Sequence, residues 1–310
     1  RDFCLSRGLG DVYKRQGYTK QEISWMMYDW ANSAHSVIIV TLLPIFFDTV
    51  AGYTADSVSS MSTWGYATSI AMLIVALAAP FLGVFGDIRG MRKKLFRFFM
   101  LLGVAACAGM AFTPGMDFTS GPVAAGKVAS LILVLYIVSV IGFDASAIYY
   151  DAFLTDVTTE DRMDKVSTMG YGLGYIGGST IPLLIFLIMN LVGVPMLTCL
   201  AFVFGLTAVW WLAFSLPLLK NCEQTSGKPY EKGDVARSIK GVGTTIKEII
   251  ANKPMLIYIL SYFFYIDGVH TVISMATTYG TNLGLDSTGM MLALLLVQIP
   301  VSYTHLRAHE

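Results

Sequence analysis

Charged residues are scarce in this chain: 14% of its 310 residues are Asp, Glu, Lys or Arg, whereas 55% are hydrophobic. A soluble domain usually has about 25% charged residues. The shortage argues against an ordinary soluble domain and favours a chain whose surface faces lipid. The formal net charge is zero and by itself indicates no class of partner.

Cysteine is also rare, and its placement excludes two further classes. Cys107 and Cys199 fall in apolar runs, Cys222 falls in a polar connection, and Cys4 falls near the N-terminus. No pair has the spacing of a disulfide framework or a zinc site. We therefore expect these residues to act as small apolar side chains.

Catalytic and nucleic-acid signatures are missing from the sequence. It has no His-Glu-x-x-His helix, no phosphate-binding loop, and no Ser or Cys nucleophile elbow beside a usable base. The sequence predicts neither an enzyme, nor a metal or cofactor site, nor a nucleic-acid partner. A cleavable signal peptide is not expected, because residues 1–24 lack an apolar core.

Long apolar runs are what the chain has in place of charge. A helix needs about 20 apolar residues to cross the hydrocarbon core. Runs of this kind predict an all-α polytopic membrane protein with spans near residues 26–49, 63–85, 96–114, 128–150, 168–192, 196–218 and 255–280. An eighth run starts near Thr288 and stops at Pro300 after about a dozen residues, too few to cross.

Basic residues alternate between the connections and predict the orientation. The connections after spans 2, 4 and 6 are rich in Lys and Arg, whereas the connections on the other side contain a single basic residue, Lys127. Because positive loops stay in the cytoplasm, the N-terminus is expected to be cytoplasmic, in what we interpret as a bacterial cytoplasmic membrane. The lipid bilayer is thus an expected partner, and the oligomeric state is left open.

The two ends differ from the rest of the chain. Residues 1–16 and 301–310 fit neither a span nor a natural loop, and they resemble translated sequencing-adapter sequence. We expect both to be non-native and the chain to be a fragment. Between them we predict a six-span bundle at 17–218, a cytoplasmic linker at 219–253 and a truncated second bundle at 254–300.

The linker has helical periodicity. Apolar residues recur every three or four positions from Val235 to Ala251, with Lys and Arg on the other side. This pattern predicts a basic amphipathic helix on the cytoplasmic membrane surface. A solvated helix packed on cytoplasmic loops is equally compatible with it.

Spans 1 and 7 carry a short internal echo, HSVI at 35–38 and HTVI at 270–273. Aligning the two places Asn32 opposite Asp267. Two halves repeated in parallel, with a solute site between them at mid-membrane, is a transporter arrangement.

Span 1 begins with the polar motif YDWANSAH at 28–35, and its i, i+3, i+4 spacing puts Asp29, Asn32, Ser33 and Ser36 on one helical face. Polar groups inside a span usually face a cavity or a partner. For Asp29 the alternative is a position at the cytoplasmic interface. His35 flanks the stripe and is either a packing residue or a proton carrier.

In span 7, Asp267 is expected near the bilayer midplane, with His270 one turn further on. An acid and an imidazole three residues apart on one helix can share or relay a proton. A structural pair that locks span 7 to a neighbour is the alternative. Span 4 offers Asp144 inside its apolar run, and Asp151, which is better interpreted as a solvated residue.

Span 5 opens with YGLGYIGG at 171–178 and places Gly170, Gly174 and Gly178 at i, i+4 and i+8. Such a stripe forms a flat groove into which another helix can pack, which is its expected role. Pro182 then permits a kink.

The turn between spans 2 and 3 reads GVFGDIRGMRKK at 83–94 and resembles the signature loop of the major facilitator superfamily. It departs from the usual pattern at Ile88 and Met91. Together with YDWANSA at 28–34, YGLGYIGG at 171–178 and YFFYIDGV at 262–269, the chain resembles the vacuole-effluxer, autophagy-related branch, which has bacterial members. The resemblance covers about residues 18–300.

This resemblance implies a twelve-helix secondary transporter that works by alternating access. Eukaryotic relatives are linked to amino-acid export from the vacuole. In the superfamily the acid of the signature loop, here Asp87, steadies the cytoplasmic gate against a helix of the second half. The gating loop would comprise Gly83, Asp87, Gly90, Arg92 and Lys93.

The sequence therefore favours a secondary transporter of small polar solutes, amino acids first, with protons as the possible coupling ion through Asp267 and His270. The remaining residues expected along the substrate or proton pathway are Asp29, Asn32, His35, Asp144 and Tyr175. A uniport facilitator remains open, and so does a receptor or scaffold that does not transport. A receptor or scaffold of this kind would tolerate neutral substitutions at Asn32 and Asp267 together.

Overall fold

The computed structural model describes residues 17–54, 59–227, 229 and 234–307; side chains are described to residue 298, and not for 234–239. The first sixteen residues and 308–310, which belong to the ends predicted to be non-native (1–16 and 301–310), lie outside the described part. Residues 301–307 continue a helix.

Ten α-helices follow one another in the described chain. Their bounds are α1 Lys20–Ala51, α2 Ser60–Gly86, α3 Arg92–Met110, α4 Pro122–Val157, α5 Met163–Leu173, α6 Thr180–Leu191, α7 Met196–Asn221, α8 Asp234–Ala251, α9 Lys253–Asn282 and α10 Ser287–Arg307. A π-helical segment, Gly174–Ser179, joins α5 to α6, and short 3₁₀ turns lie at Thr113–Gly115 and Glu160–Arg162.

Within the described residues, seven helical segments are long and apolar enough to cross a membrane. They correspond one to one to the seven complete spans predicted from hydropathy, with α5, the π segment and α6 forming span 5, so the prediction of an all-α polytopic membrane fold is confirmed. Helix α10 corresponds to the eighth apolar run of the sequence, and its described apolar stretch, Ser287–Gln298, is shorter than the other seven.

The first span is longer than its hydropathy suggests, because polar residues extend its start. The Thr19 hydroxyl accepts a hydrogen bond from the Glu22 backbone N–H at 3.1 Å, and Glu22 accepts one from the Thr19 N–H at 2.7 Å. This capping box satisfies two donors that a helix start leaves open. It begins the helix at Lys20, six residues before the predicted span.

Helix α1 is the centre of the bundle and packs against α2, α4, α5, α6, α7 and α9. Its side chains belong to two apolar clusters. One includes Trp25, Tyr28 and Ala31, and the other includes the apolar residues of α1 from Val37 to Val50 that face the bundle. The polar stripe of α1 therefore lies where the two clusters meet. Helix α9 contrasts with α1, since most of its apolar side chains are exposed.

Candidate functional site

A polar pocket of about 220 Å³ lies where the two clusters meet. Helices α1, α4 and α5 and the π segment contribute its walls. The lining residues are Asp29, Asn32, Ser33, Ser36, Phe143, Ala147, Tyr150, Asp151, Tyr171, Tyr175 and Ser179. Helical spacing brings the four residues of α1 to one face, as the i, i+3, i+4 pattern requires.

Asp29 is the most deeply placed acid of this pocket, and 8% of its surface is exposed. The Tyr150 hydroxyl donates a 2.8 Å hydrogen bond to Asp29 Oδ2. The Tyr150 ring is stacked on Trp25 at a centroid distance of 4.3 Å, and the Trp25 indole donates to the Tyr150 carbonyl oxygen at 2.9 Å. The donor to Asp29 is therefore held in place by packing between α1 and α4.

Ion pairs are few among the described residues, and Asp29 takes part in none. Arg92 pairs with Asp87 and Asp156, and Arg162 pairs with Glu22. An ionised carboxylate inside a membrane protein is costly unless a cation or several donors balance it. Asp29 thus has one described donor and no described cationic partner.

The glycine stripe of span 5 lies directly against α1. A Cβ added to Gly170 would lie 2.4 Å from Asp29 Oδ2, one on Gly174 would lie 2.6 Å from Ser33 Oγ, and one on Gly178 would lie 2.5 Å from the Trp30 carbonyl oxygen. Real Cβ atoms do not come this close to other atoms. The absence of side chains at these positions lets span 5 approach α1 closely enough to close the pocket wall.

The π segment is a feature that the sequence pattern did not indicate. The Thr180 hydroxyl donates to the Tyr175 carbonyl oxygen at 2.8 Å, and the Ser179 hydroxyl donates across to the Ser33 carbonyl oxygen at 3.3 Å. π-Helical turns are frequent at functional sites because they displace side chains from regular helical register. Here the segment supplies both Tyr175 and Ser179 to the pocket.

Three of the predicted pathway residues, Asp29, Asn32 and Tyr175, line this pocket together. His35 does not: it is buried between Phe143, at a ring distance of 4.9 Å, and Trp211, at 5.0 Å. Neither nitrogen of its ring has a hydrogen-bond partner among the described residues. Its surroundings are those of a packing residue in the described bundle.

Asp144, Asp267 and His270 also lie outside the pocket lining. Asp144 is half-buried on α4, and its Oδ2 has no hydrogen-bond partner in the described part of the chain. Asp267 and His270 are exposed on α9. The pocket therefore brings together Asp29 and Asn32 of the first span, whereas Asp267 and His270 of the seventh span are not among its described lining residues.

Outside α1, four polar residues of the pocket were missing from the predicted set: Tyr150, Asp151, Tyr171 and Ser179. Tyr171 and Tyr175 are four residues apart, and this i, i+4 spacing was the available signal for Tyr171. Asp151 was interpreted as a solvated residue, and it is exposed at the mouth of the pocket. Tyr150 gave no signal, because its role depends on packing against α1.

The turn predicted as a gating loop connects α2 to α3. Gly83 lies in the last turn of α2, and its carbonyl oxygen accepts a hydrogen bond from the Asp87 N–H at 3.2 Å. Gly90 has a positive φ of 80°. Arg92 Nη1 lies 2.5 Å from Asp156 Oδ2 at the end of α4. Lys93, one residue on, lines a basic pocket beside the turn.

The segment that follows α7 closes over this turn. Gln224 accepts from the Gly90 N–H at 2.8 Å and donates to the Gly86 carbonyl oxygen at 3.0 Å. The backbone N–H groups of Thr225 and Ser226 both donate to Asp156, at 3.1 and 3.0 Å. Residues 222–227, which we call the clasp, therefore tie the ends of α2, α3, α4 and α7 together.

Seven spans, a polar pocket inside the bundle and a hydrogen-bonded turn between spans 2 and 3 define an integral multi-pass membrane protein with a polar interior. Residues 52–304 match the family described as vacuole effluxer Atg22 like. The chain belongs to this family, and the resemblance seen in its motifs is confirmed.

Individual relatives agree with this assignment. YxiO of Bacillus subtilis (strain 168), named as an uncharacterized MFS-type transporter, is 39% identical over 290 residues, which are 91% of this chain and 65% of YxiO. Autophagy-related protein 22-1 of Penicillium rubens is 25% identical over 146 residues, 44% of this chain and 24% of that protein. The protein of the same name from Aspergillus niger is 26% identical over 145 residues, 44% of this chain and 23% of the relative. The chain thus spans less than two thirds of the length of these relatives.

Proposed function

We propose that this protein is a secondary transporter that moves small polar solutes across the membrane by alternating access, with amino acids as the leading class. The observation that carries the proposal is the pocket around Asp29, a polar cavity inside a bundle of membrane-spanning helices. Small-molecule sites are concave and present a few well-placed polar groups, and this pocket has that character. The transporter name of YxiO supports the same class.

Proton coupling is the finer part of the proposal. Asp267 and His270 lie one turn apart on α9 and are the proposed proton carriers. The proposed solute pathway comprises Asp29, Asn32 and Tyr175 in the pocket, with His35 and Asp144 further along the bundle. Asp87 and the turn around it are the proposed cytoplasmic gate.

Orientation and location belong to the same proposal. The turn at 87–91 and the clasp lie at one end of the bundle, beside the basic residues Arg89, Lys93, Lys94 and Arg97. Because positive connections remain in the cytoplasm, we place this end and the N-terminus on the cytoplasmic side of a bacterial membrane. The six-span bundle, linker and second bundle are the proposed divisions of the chain.

Uptake of radiolabelled amino acids into proteoliposomes tests the proposal, with YxiO reconstituted in parallel. An imposed proton gradient should accelerate uptake, and Asp267→Asn should remove the acceleration. Asp164→Asn is the matched control, since Asp164 is an exposed acid at the start of α5. An uptake rate that does not change with the proton gradient would instead indicate a uniport facilitator.

A scaffold without transport activity predicts a different pattern. It would show no uptake of any solute, and it would tolerate Asn32→Ala and Asp267→Asn together in a binding or assembly assay. Such a result for both this protein and YxiO would overturn the transporter proposal.

A further inference from the structure

We propose that the pocket receives the guanidinium or side-chain ammonium of a small solute with a net positive charge, and that Asp29 is the ion-pair partner of this group. This inference rests on the proposed function, since it takes the pocket to be the solute site. It goes further by assigning the charge of the group that the solute presents there.

The first argument is the balance of charge. The described residues that line the pocket include two carboxylates, Asp29 and Asp151, and no Lys, Arg or His. A buried carboxylate needs a counter-charge or a set of donors. A cationic solute would supply the counter-charge that the described bundle lacks.

The second argument is the state of the Asp29 carboxylate itself. Oδ2 accepts the hydrogen bond of Tyr150, whereas no described residue donates to Oδ1. The side chain is more than nine-tenths buried and lines the pocket. The Tyr150 hydrogen bond orients the carboxylate, and Gly170 lies so close that an added Cβ would be 2.4 Å from Oδ2. Asp29 therefore presents one pre-positioned acceptor oxygen to an N–H donor.

The third argument is the kind of neutral group around it. Tyr171 and Tyr175 add phenol rings, and Ser33 and Ser36 add hydroxyl oxygens. Aromatic faces attract ammonium and guanidinium groups, and hydroxyl oxygens accept their remaining hydrogen bonds. An anionic group would meet two carboxylates and no cation, so the same lining disfavours it.

The volume sets the size of the group that binds. About 220 Å³ is below the range of roughly 300–1,000 Å³ typical of ligand pockets. The pocket accommodates one charged head group and a short chain, so a small amine or a basic amino acid fits better than a bulky drug-like cation.

The competing explanation is that a proton alone neutralises Asp29. The two explanations differ in what a neutral isostere of the solute should do. L-Arginine and L-citrulline have nearly the same shape and share their α-ammonium and α-carboxylate groups, but only L-arginine carries the positive charge of a guanidinium group. If Asp29 simply holds a proton, the two should bind alike.

Binding of L-arginine, L-citrulline and agmatine to the purified protein in detergent, followed by isothermal titration calorimetry, tests the inference. L-Arginine and agmatine should bind with at least about tenfold lower Kd than L-citrulline, which is the scale of one charge-assisted contact. Asp29→Asn should abolish this preference. Tyr150→Phe retains the carboxylate and should keep it, and Asp164→Asn should leave all three affinities unchanged.

Three results would overturn the inference: equal affinity for L-arginine and L-citrulline in the wild-type protein, no binding of either cation, or a preference that survives in Asp29→Asn. The wild-type comparison needs no variant, so it decides the matter even if Asp29→Asn fails to fold. If the proton gradient drives uptake of L-leucine and the protein shows no preference for cationic over neutral solutes, this inference is wrong and the transporter proposal is still supported.

Discussion

Arg92 and Asp156 are joined by a 2.5 Å contact between Nη1 and Oδ2, which ties the start of α3 to the end of α4. The same guanidinium also meets Asp87, at 4.0 Å through Nη2. The two carboxylates differ in burial: the Asp156 side chain is 0% exposed, whereas that of Asp87 is 84% exposed. One cation thus has a buried and a solvated partner, and the two contacts should differ in energy.

We predict that Asp156→Ala lowers the free energy of unfolding by about 3–5 kcal/mol, because it leaves the buried Arg92 charge without its buried partner. Asp87→Ala should cost no more than about 1 kcal/mol, as exposed ion pairs do. Loss of helical circular dichroism during titration with dodecyl sulfate measures both. Equal losses for the two variants would contradict the assignment of Asp156 as the structural partner.

The close approach of span 5 to α1 gives a second prediction. Gly178→Ala should destabilise the protein by about 1–3 kcal/mol, because the new methyl group would press on the Trp30 carbonyl oxygen and backbone cannot move aside easily. That oxygen also accepts a 2.9 Å hydrogen bond from the Trp210 indole, which fixes it further.

Gly126→Ala is the matched control, since a Cβ at Gly126 in α4 meets nothing within 4 Å. Alanine favours a helix over glycine by up to about 1 kcal/mol, so this variant should be neutral or slightly more stable. Thermal denaturation of both variants in the same detergent makes the comparison. A neutral Gly178→Ala would show that α1 and span 5 lie further apart than described.

Cysteine reactivity at the clasp follows from burial. Burial raises the pKa of the Cys222 thiol to about 11, and the thiol donates a weak hydrogen bond to the Gln21 carbonyl oxygen at 3.6 Å. Because only the thiolate reacts, and at pH 8 about one such thiol in a thousand is ionised, maleimide labelling should be slow. The rate should increase about tenfold per pH unit below this pKa.

The measurement uses a protein in which Cys222 is the sole cysteine, with Cys4, Cys107 and Cys199 changed to serine or alanine. In the same background Cys222→Ala combined with Glu223→Cys supplies an exposed comparison one residue away. Labelling of Cys222 as fast as that of the exposed thiol would show that the clasp does not cover it.

Gln224 should govern how firmly the clasp closes. Gln224→Ala removes the three hydrogen bonds of the side chain to the backbone of Gly86, Gly90 and Arg92, so Cys222 should become exposed more often and label several-fold faster. Glu223→Ala removes an exposed side chain of the same segment and should leave the rate unchanged. Mass spectrometry of timed labelling reactions compares the two, and equal rates would exclude a role of Gln224 in closure.

The spans were predictable because hydrocarbon imposes a length that hydropathy can detect. Their ends were less so: the capping box at Thr19 and Glu22 extends α1 into polar sequence that carries no hydropathy signal. Proline at the first turn of α4 starts that helix at Pro122, six residues before its apolar run was placed.

The pocket was predictable only on the side of α1. Helical spacing assigned Asp29 and Asn32 to one face, but which residues of α4 and span 5 meet them depends on tertiary packing. Tyr150 reaches Asp29 because Trp25 stacks on its ring, a contact across 125 residues of sequence. No periodicity within a single span contains that information.

The π segment Gly174–Ser179 sets the angular phase of span 5. A turn of this kind holds one residue more than an α turn, and each residue of an α-helix advances by about 100° around the axis. The side chains of α5 are therefore rotated by about this angle relative to α6, compared with an unbroken helix. Removing one residue from the segment would re-aim Tyr171 and every other side chain of α5 while leaving the length of the span almost unchanged.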